Sequence, residues 1–180
     1  MKDHLIDIRF PLLITNFKTY ENATGARALE LARIHEKVAR EENVSIACAV
    51  QAPDIYRIAK EVMIPIFAQH FDIHPRGQST GAILPEALQM AGASGSLLNH
   101  SEYRVPFPDI PESLNRAAFC KLFVVVCAHN DKEAKELAGL RPDAIAVEPP
   151  ELIGGDISVS TGKPEIIKKS VQETGRVPLI

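Results

Sequence analysis

Short apolar runs alternate with amphipathic stretches along nearly the whole chain, and this alternation restricts the fold more than any other feature. The stretches show helical spacing, as at Leu31, Ile34 and Val38 and again at Ile167 and Val171. Continuous apolar runs are typical of strands buried on both faces, so the pattern predicts a parallel sheet covered by helices. The strand candidates are Leu12–Thr15, Ser45–Val50, Ile64–Ala68, Ser94–Leu98, Phe123–Cys127 and Ala144–Val147, with another beginning at Val177.

Two architectures fit strict alternation of strands and helices, an open doubly wound sheet and a closed barrel. An open sheet of the dinucleotide-binding type carries a glycine-rich turn after its first strand, but here the polar and bulky segment Asn16-Phe17-Lys18-Thr19-Tyr20 follows. A barrel builds its site from strand ends at one rim, and polar residues at the strand ends therefore favour a closed α/β barrel. Those residues include Gln51, Gln69, Asn99 to Glu102, His129, Asn130 and Glu148.

The chain shows no linker or low-complexity tract, so we predict one domain over residues 1–180. A full barrel has eight strand–helix units and about 250 residues, whereas this sequence supplies about six units and the start of a seventh strand. We therefore expect a C-terminally incomplete barrel, whose open strand edges invite pairing with other chains.

Charge and cysteine content restrict the partners and the compartment. A formal net charge of -3 argues against a nucleic-acid partner, because such proteins concentrate Lys and Arg on one face. The longest apolar run, Leu122–Ala128, is far shorter than the ~20 residues of a membrane span. Cys48, Cys120 and Cys127 lie among apolar neighbours without CxxC spacing, which is typical of buried thiols in a reducing compartment. We expect a soluble, cytoplasmic protein.

The segment after the sixth strand candidate places a carboxylate before a restricted loop. Glu148 ends the strand, Pro149 and Pro150 restrict the backbone, and Gly154 and Gly155 could bring N–H groups close to an anion. A catalytic base beneath a moving, water-excluding segment needs these parts. A capped loop with a surface glutamate fits the same residues, and the segment alone does not decide between the two.

Two other strand ends carry residues that suit proton transfer next to an anion. If His100 begins a short helix, the positive end of the helix dipole favours a neutral ring that can donate a hydrogen bond to a substrate oxygen. Asn16 and Lys18 stand two residues apart, so an extended chain directs both to one side, where Lys18 can hold an anion. A single histidine or lysine is more often a core or solvated residue, and only the combination indicates a site.

A third segment has the alternation of a metal site, because His70, Asp72 and His74 would share one face of a strand. We expect no metal there, since the segment runs into a loop of Pro, Gly and polar residues and no further Cys or His completes a ligand set.

Five motifs in chain order resemble triosephosphate isomerase, in the compact form seen in archaea. The resemblance runs from about Pro11 to the end of the chain. It implies a TIM barrel that interconverts dihydroxyacetone phosphate and glyceraldehyde 3-phosphate in glycolysis and gluconeogenesis, without cofactor or metal. The motifs are Asn16-Phe17-Lys18, Ala68-Gln69-His70, Thr80-Gly81, Leu98-Asn99-His100-Ser101-Glu102 and Val147-Glu148-Pro149-Pro150-Glu151-Leu152-Ile153-Gly154.

The resemblance also implies a role for each matching residue. Glu148 would remove a carbon-bound proton and return it to the neighbouring carbon, while neutral His100 moves protons between the two oxygens. Lys18 would stabilise the negative charge, and Asn16 and Glu102 would help to place it.

The remaining implied roles concern the phosphate and the oligomer. Gly154 would offer a backbone N–H to the phosphate, and Thr80 matches a position that reaches a neighbouring subunit's site, so a homodimer or homotetramer is implied. Asp156 departs from the Gly-Thr-Gly that the family commonly has in this loop. Two alternatives stay open, namely another phosphate-handling barrel isomerase and an inactive barrel fragment that acts only by self-association or partner binding.

Overall fold

The structure is a computed structural model that describes residues 8–148, 159–162 and 164–180. The chain forms two compact units. The first comprises Met1–Ser96 and Asn115–Phe123, and the second comprises Leu97–Leu114 and Val124–Ile180. Our expectation of one domain over the whole chain stays a prediction.

Helices and strands alternate in the described residues, which confirms the predicted α/β class. The strands are β1 (Leu12–Asn16), β2 (Ser45–Val50), β3 (Ile66–Ala68), β4 (Gly95–Leu98), β5 (Phe123–Ala128) and β6 (Ala144–Val147). The helices are α1 (Ala26–Glu41), α2 (Ala52–Ala59), α3 (Pro85–Ala91), α4 (Ile110–Phe119), α5 (Asp131–Ala138), α6 (Val159–Gly162) and α7 (Pro164–Thr174). None of these helices combines the length and the apolar character that crossing a lipid bilayer requires.

Strand pairing in each unit is parallel. In the first unit β1 pairs with β2, β2 with β3, and β3 with the first residues of β4. In the second unit β5 pairs with β6, and Leu179 forms a single parallel bridge with Ile145, two residues after the predicted start of a seventh strand at Val177. Parallel strands of one sheet end at the same edge, so the residues after them share an edge within each unit.

The predicted strand bounds agree closely with the structure, and one difference has a clear cause. The prediction began the third strand at Ile64, whereas β3 begins at Ile66. Pro65 lies between them and has no N–H to donate to a neighbouring strand, although its carbonyl accepts the N–H of Cys48 at 3.1 Å.

The helix α1 forms where its apolar spacing predicted, but it buries a different row of residues. Ile34 and Val38 are 57% and 41% exposed, whereas Ala28 and Ala32 are fully buried. On the same helix His35 contacts Thr15 of β1, with 3.1 Å between Nε2 and Oγ1. Small side chains allow the helix backbone to approach the sheet closely, so alanine rather than the larger residues occupies the contact.

The start of β4 requires glycine because Gly95 lies against two neighbours. A Cβ atom at this position would lie 2.3 Å from the carbonyl oxygen of Phe123 and 2.8 Å from the ring of Phe67. Only a residue without a side chain permits this approach, and the position of β4 in turn sets the position of the residues that follow it.

Candidate active site

The second unit brings together two of the predicted site residues. Glu148 follows β6 directly, and its N–H donates to the carbonyl of Ala128 at the end of β5 over 2.7 Å. His100 follows β4 and is 7% exposed. Nε2 of His100 lies 3.3 Å from Oε1 of Glu148. A carboxylate and an imidazole therefore face each other at the strand ends of this unit.

The other ring nitrogen of His100 determines which tautomer fits the structure. The backbone N–H of Glu102 donates to Nδ1 over 3.1 Å, so Nδ1 acts as an acceptor. A neutral ring with its proton on Nε2 satisfies this bond and directs a donor toward Glu148. The side chain of Glu102 is mostly exposed, with its carboxylate 3.7 Å from Nδ1.

The prediction that His100 begins a short helix is wrong. Residues 101–103 form a turn, closed by the N–H of Tyr103 donating to the carbonyl of His100 over 2.9 Å. The turn follows Asn99, which has a φ of 62°, in the left-handed region. A direct hydrogen bond from the backbone of Glu102, rather than a helix dipole, therefore supports the neutral form of the His100 ring.

The carboxylate of Glu148 is partly buried and lies beside the thiol of Cys127. Its Oε2 atom is buried and accepts no well-formed hydrogen bond from the described residues. Burial raises the pKa of Cys127 well above its ordinary value, and the adjacent Glu148 carboxylate raises it further. The thiol is therefore protonated and lies as a neutral neighbour beside the Glu148 carboxylate.

The first unit contains the other predicted pair, Asn16 and Lys18. Oδ1 of Asn16 accepts the N–H of Lys18 over 3.0 Å. Nε2 of Gln69 donates to the carbonyl of Lys18 over 2.9 Å and approaches Oδ1 of Asn16 at 3.2 Å. Phe17, between the pair, is buried, in agreement with the predicted alternation. Lys18 has a φ of 48°, so these bonds hold a backbone conformation that a lysine seldom adopts.

Thr80 is the one of the singled-out loop residues that the structure describes. Thr80 is exposed in the first unit, in the connection between β3 and α3. Gly154 and Asp156 lie outside the described residues, as does the rest of the predicted mobile loop from Pro149.

The segment with metal-like alternation forms a loop anchor. Oδ2 of Asp72 accepts the N–H of Ile83 over 2.8 Å, and Nε2 of His70 lies 3.2 Å from Oδ1 of Asp72. Burial lowers the pKa of His70, although its hydrogen bond to Asp72 acts in the opposite direction. Across residues 8–148, 159–162 and 164–180, no three His, Cys, Asp or Glu side chains gather as metal ligands would.

Sequence reasoning assigned no role to three residues that support the site. Gln69 and Arg104 follow the third and fourth strands, but their partners are distant in sequence. Glu133 occupies the first turn of α5, where Asn130 caps the helix by accepting the N–H of Glu133 over 3.0 Å. This spacing indicates a helix start and gives no sign that Glu133 also contacts the turn around His100.

Comparisons with known proteins support the resemblance seen in the motifs. Residues 11–177 match the family model described as triosephosphate isomerase. The chain is 49% identical over 162 residues to the triosephosphate isomerase of Methanobacterium bryantii, a match covering 90% of this chain and 72% of that protein. It is 45% identical over 170 residues to the enzyme of Metallosphaera sedula, covering 94% of this chain and 75% of that protein.

A solved structure shows the same fold. The crystal structure of triosephosphate isomerase from Bartonella henselae matches with a TM-score of 0.62 and 22% identity, over 77% of this chain and 68% of that chain. The predicted TIM-barrel fold is thereby confirmed. Taken with the archaeal relatives and the family model, the evidence establishes that this chain belongs to the triosephosphate isomerase family of enzymes.

Proposed function

We propose that this protein interconverts dihydroxyacetone phosphate and glyceraldehyde 3-phosphate by proton transfer through an enediolate, with Glu148 as the base and His100 as the proton carrier. The observation that carries the proposal is the 3.3 Å contact between Nε2 of His100, which follows β4, and Oε1 of Glu148, which follows β6. The relatives are named triosephosphate isomerase, and this name supports triose phosphates as the substrates.

The chemistry needs a base and an acid that act together. A hydrogen on the carbon next to a carbonyl is weakly acidic, so its removal requires that the charge developing on the oxygen is stabilised as it forms. In the forward step Glu148 takes the proton and the C–H electrons form the C=C bond of the enediolate. His100 donates from Nε2 to the former carbonyl oxygen. The proton on Glu148 then passes to the neighbouring carbon, while His100 receives one from the second oxygen.

A neutral imidazole suits this role because it can donate a proton and take one back without carrying a positive charge at the start. The hydrogen bond from Glu102 N–H to Nδ1 supports the neutral form with its proton on Nε2. A separation of 3.3 Å leaves no space for a substrate carbon between the two side chains. Substrate binding therefore exchanges their mutual contact for contacts with the substrate.

We assign to Lys18 the stabilisation of the substrate's negative charge, and Asn16 helps to place Lys18. Gly154 would offer its backbone N–H to the phosphate. The bonds from Asn16 and Gln69 to the Lys18 backbone support the first assignment, since they fix where the lysine side chain begins. The loop from Pro149 would exclude water from the enediolate. No cofactor or metal is needed for these steps.

The proposal extends to assembly and compartment. We infer a homodimer or homotetramer in which Thr80 approaches a neighbouring site, supported by the exposure of Thr80. Three free, buried cysteines support a cytoplasmic protein, where thiols stay reduced. The reaction would serve glycolysis and gluconeogenesis. Light scattering after size exclusion measures the assembly, and a monodisperse monomer would exclude it.

Turnover of the 180-residue chain tests the function directly. We expect isomerisation in both directions, and we expect Glu148→Asp to lose at least ~100-fold in kcat with unchanged thermal stability, because an error of about 1 Å at the reacting group is costly. Exposed Glu136→Asp serves as the control. An inactive, aggregated chain would support the fragment alternative, and turnover of other sugar phosphates in preference to triose phosphates would support a different isomerase.

A further inference from the structure

A cluster of hydrogen-bonded polar residues in the second unit holds the turn that carries His100. We name it the Glu133 cluster; it consists of Asn99, Arg104, His129 and Glu133. The carboxylate of Glu133 accepts the backbone N–H of His129 over 2.7 Å, the guanidinium of Arg104, and Nδ2 of Asn99 over 3.3 Å. One carboxylate thus joins the start of α5 to the turn after β4.

Asn99 uses its side chain to close the same turn. It is 1% exposed, its Nδ2 donates to the carbonyl of Cys127 over 2.9 Å, and its Oδ1 accepts the N–H of Val105 over 3.0 Å. Arg104 donates to the carbonyl of Asn99 over 3.1 Å. Both ends of the turn are therefore held by side chains, and His100 lies between them.

The backbone of Asn99 needs this support. A φ of 62° is unfavourable for a residue with a side chain, and such a conformation persists where the surroundings determine it several times over. The side chain and the carbonyl of Asn99 both bond within the cluster. The orientation of the next residue, His100, depends on this conformation.

The Glu133 cluster also contains an ion pair. Burial raises the pKa of Glu133, but the N–H of His129 and the guanidinium of Arg104 outweigh burial and hold that pKa below its ordinary value. Glu133 is therefore ionised and balanced by Arg104, so the pair fixes the turn without adding net charge next to His100.

Capping of α5 does not account for these contacts. A carboxylate at the third position of a helix can reach back to a backbone N–H at the helix start, and the bond from His129, two residues before α5, is of this kind. The bonds from Asn99 and Arg104 come from a segment about thirty residues earlier, with separations of 34 and 29 positions. They point to a second role.

We propose that Glu133 is a positioning residue for the isomerisation. Acting through Arg104 and Asn99, it holds the turn that aims Nε2 of His100 at Glu148 and the N–H of Glu102 at Nδ1. The inference rests on the proposed function, because it takes His100 as the proton carrier.

The test compares Glu133→Gln with Glu136→Gln, the same chemical change on the exposed side of the same helix. Glutamine keeps an acceptor for the His129 N–H and leaves the Asn130 cap unchanged, but it loses the charge that holds Arg104. We expect kcat of Glu133→Gln to fall at least 10-fold with KM changed less than threefold, while Glu136→Gln matches the unmodified chain. These figures follow from the ~100-fold cost of a 1 Å error, reduced for a partial displacement.

A nitrogen NMR spectrum of the His100 ring gives a second readout that needs no turnover. The unmodified chain should show one neutral tautomer, and Glu133→Gln should show exchange between two, because Glu102 N–H leaves Nδ1. An inactive unmodified chain would refute the proposed function, while the spectra would still test the positioning role. Spectra and kcat of Glu133→Gln that equal those of Glu136→Gln would overturn the inference.

Arg104→Lys keeps the test decisive if Glu133→Gln does not fold. Lysine retains the charge but has no planar fork to reach both the Asn99 carbonyl and Glu133, so the same loss of kcat and the same change in the His100 spectrum are expected. If both variants fold, the double variant should lose no more than the larger single loss, since residues acting through one network are not additive. Independent, multiplying losses would contradict a shared role.

Discussion

The imidazole of His100 faces the carboxylate of Glu148, with 3.3 Å between Nε2 and Oε1. Each residue follows a different strand, β4 and β6, and neither is near the other in sequence. The remaining ring nitrogen of His100 is engaged by the backbone of Glu102 at 3.1 Å. The two nitrogens of one ring therefore have separate partners, the Glu102 backbone at Nδ1 and the Glu148 carboxylate at Nε2.

The first prediction concerns which nitrogen of His100 carries the ring proton. Because a backbone N–H can only donate, Nδ1 must be unprotonated, and the ring proton must be on Nε2. Nitrogen NMR of the ring at neutral pH should show this single form. A spectrum with the proton on Nδ1, or with both nitrogens protonated, would contradict the geometry.

Loss of the Gln69 amide should weaken catalysis through Lys18. Gln69→Glu has nearly the same shape but faces the carbonyl of Lys18 and Oδ1 of Asn16 with an acceptor instead of a donor. We expect kcat/KM to fall at least ~10-fold, and stability to fall by about 1–3 kcal/mol from the unmatched acceptors. Gln51→Glu is the control, since Gln51 donates to the exposed Thr24. Full activity in Gln69→Glu would remove Gln69 from the site.

The close approach at Gly95 should make Gly95→Ala severely destabilising. The added methyl would lie 2.3 Å from a backbone carbonyl oxygen, and the strand must shift to accept it. Overpacking of this kind should lower the free energy of unfolding by about 3 kcal/mol or more, which urea unfolding measures. Gly139→Ala is the control, because its Cβ would lie 3.2 Å from the nearest atom and should cost about 1 kcal/mol or less. Equal losses would show that β4 has space at this point.

Stability should decline in acid through the ion pair of Arg116 and Glu86. Both oxygens of Glu86 lie 2.9 Å from Nη2 of Arg116. Burial raises the pKa of Glu86, but the bonds and charge of Arg116 outweigh burial and bring that pKa below its ordinary value of 4.5. A lowered folded-state pKa contributes stability above the unfolded-state pKa, and the contribution disappears as pH falls through the folded-state pKa.

Urea unfolding at pH 6 and pH 3 measures this contribution. The unmodified chain should lose more unfolding free energy between the two pH values than Glu86→Gln, which cannot titrate at this position. The difference between the two chains isolates the pair from other carboxylates. An identical decline in both chains would show that Arg116 does not stabilise the ionised form.

The strands could be predicted closely because each is a continuous apolar run with a clear end. The helix faces could not, since apolar spacing marks the large residues of α1 such as Ile34, while close approach to the sheet selects Ala28 and Ala32. The turn at His100 was mistaken for a helix because the left-handed backbone of Asn99 leaves no periodic signal in the sequence.

Candidate site residues could be predicted where they lie at strand ends. Residues that contact them from distant parts of the sequence could not. Position and residue type single out Glu148 and His100, and the structure brings these two within 3.3 Å. Gln69 reaches the carbonyl of Lys18 across 51 positions, and Glu133 reaches Asn99 across 34. Contacts between such distant residues depend on the packed fold, which residue spacing alone does not define.

The central claim is that Glu148 removes a proton from carbon. Proton NMR in D2O can follow the exchange of the hydrogens next to the carbonyl of dihydroxyacetone phosphate, independently of product release. We expect the unmodified chain to incorporate deuterium at this carbon, and Glu148→Gln, which keeps the shape but cannot act as a base, to lose at least ~1,000-fold of this rate. Equal rates of deuterium incorporation in the two chains, or none in the unmodified chain, would contradict the account.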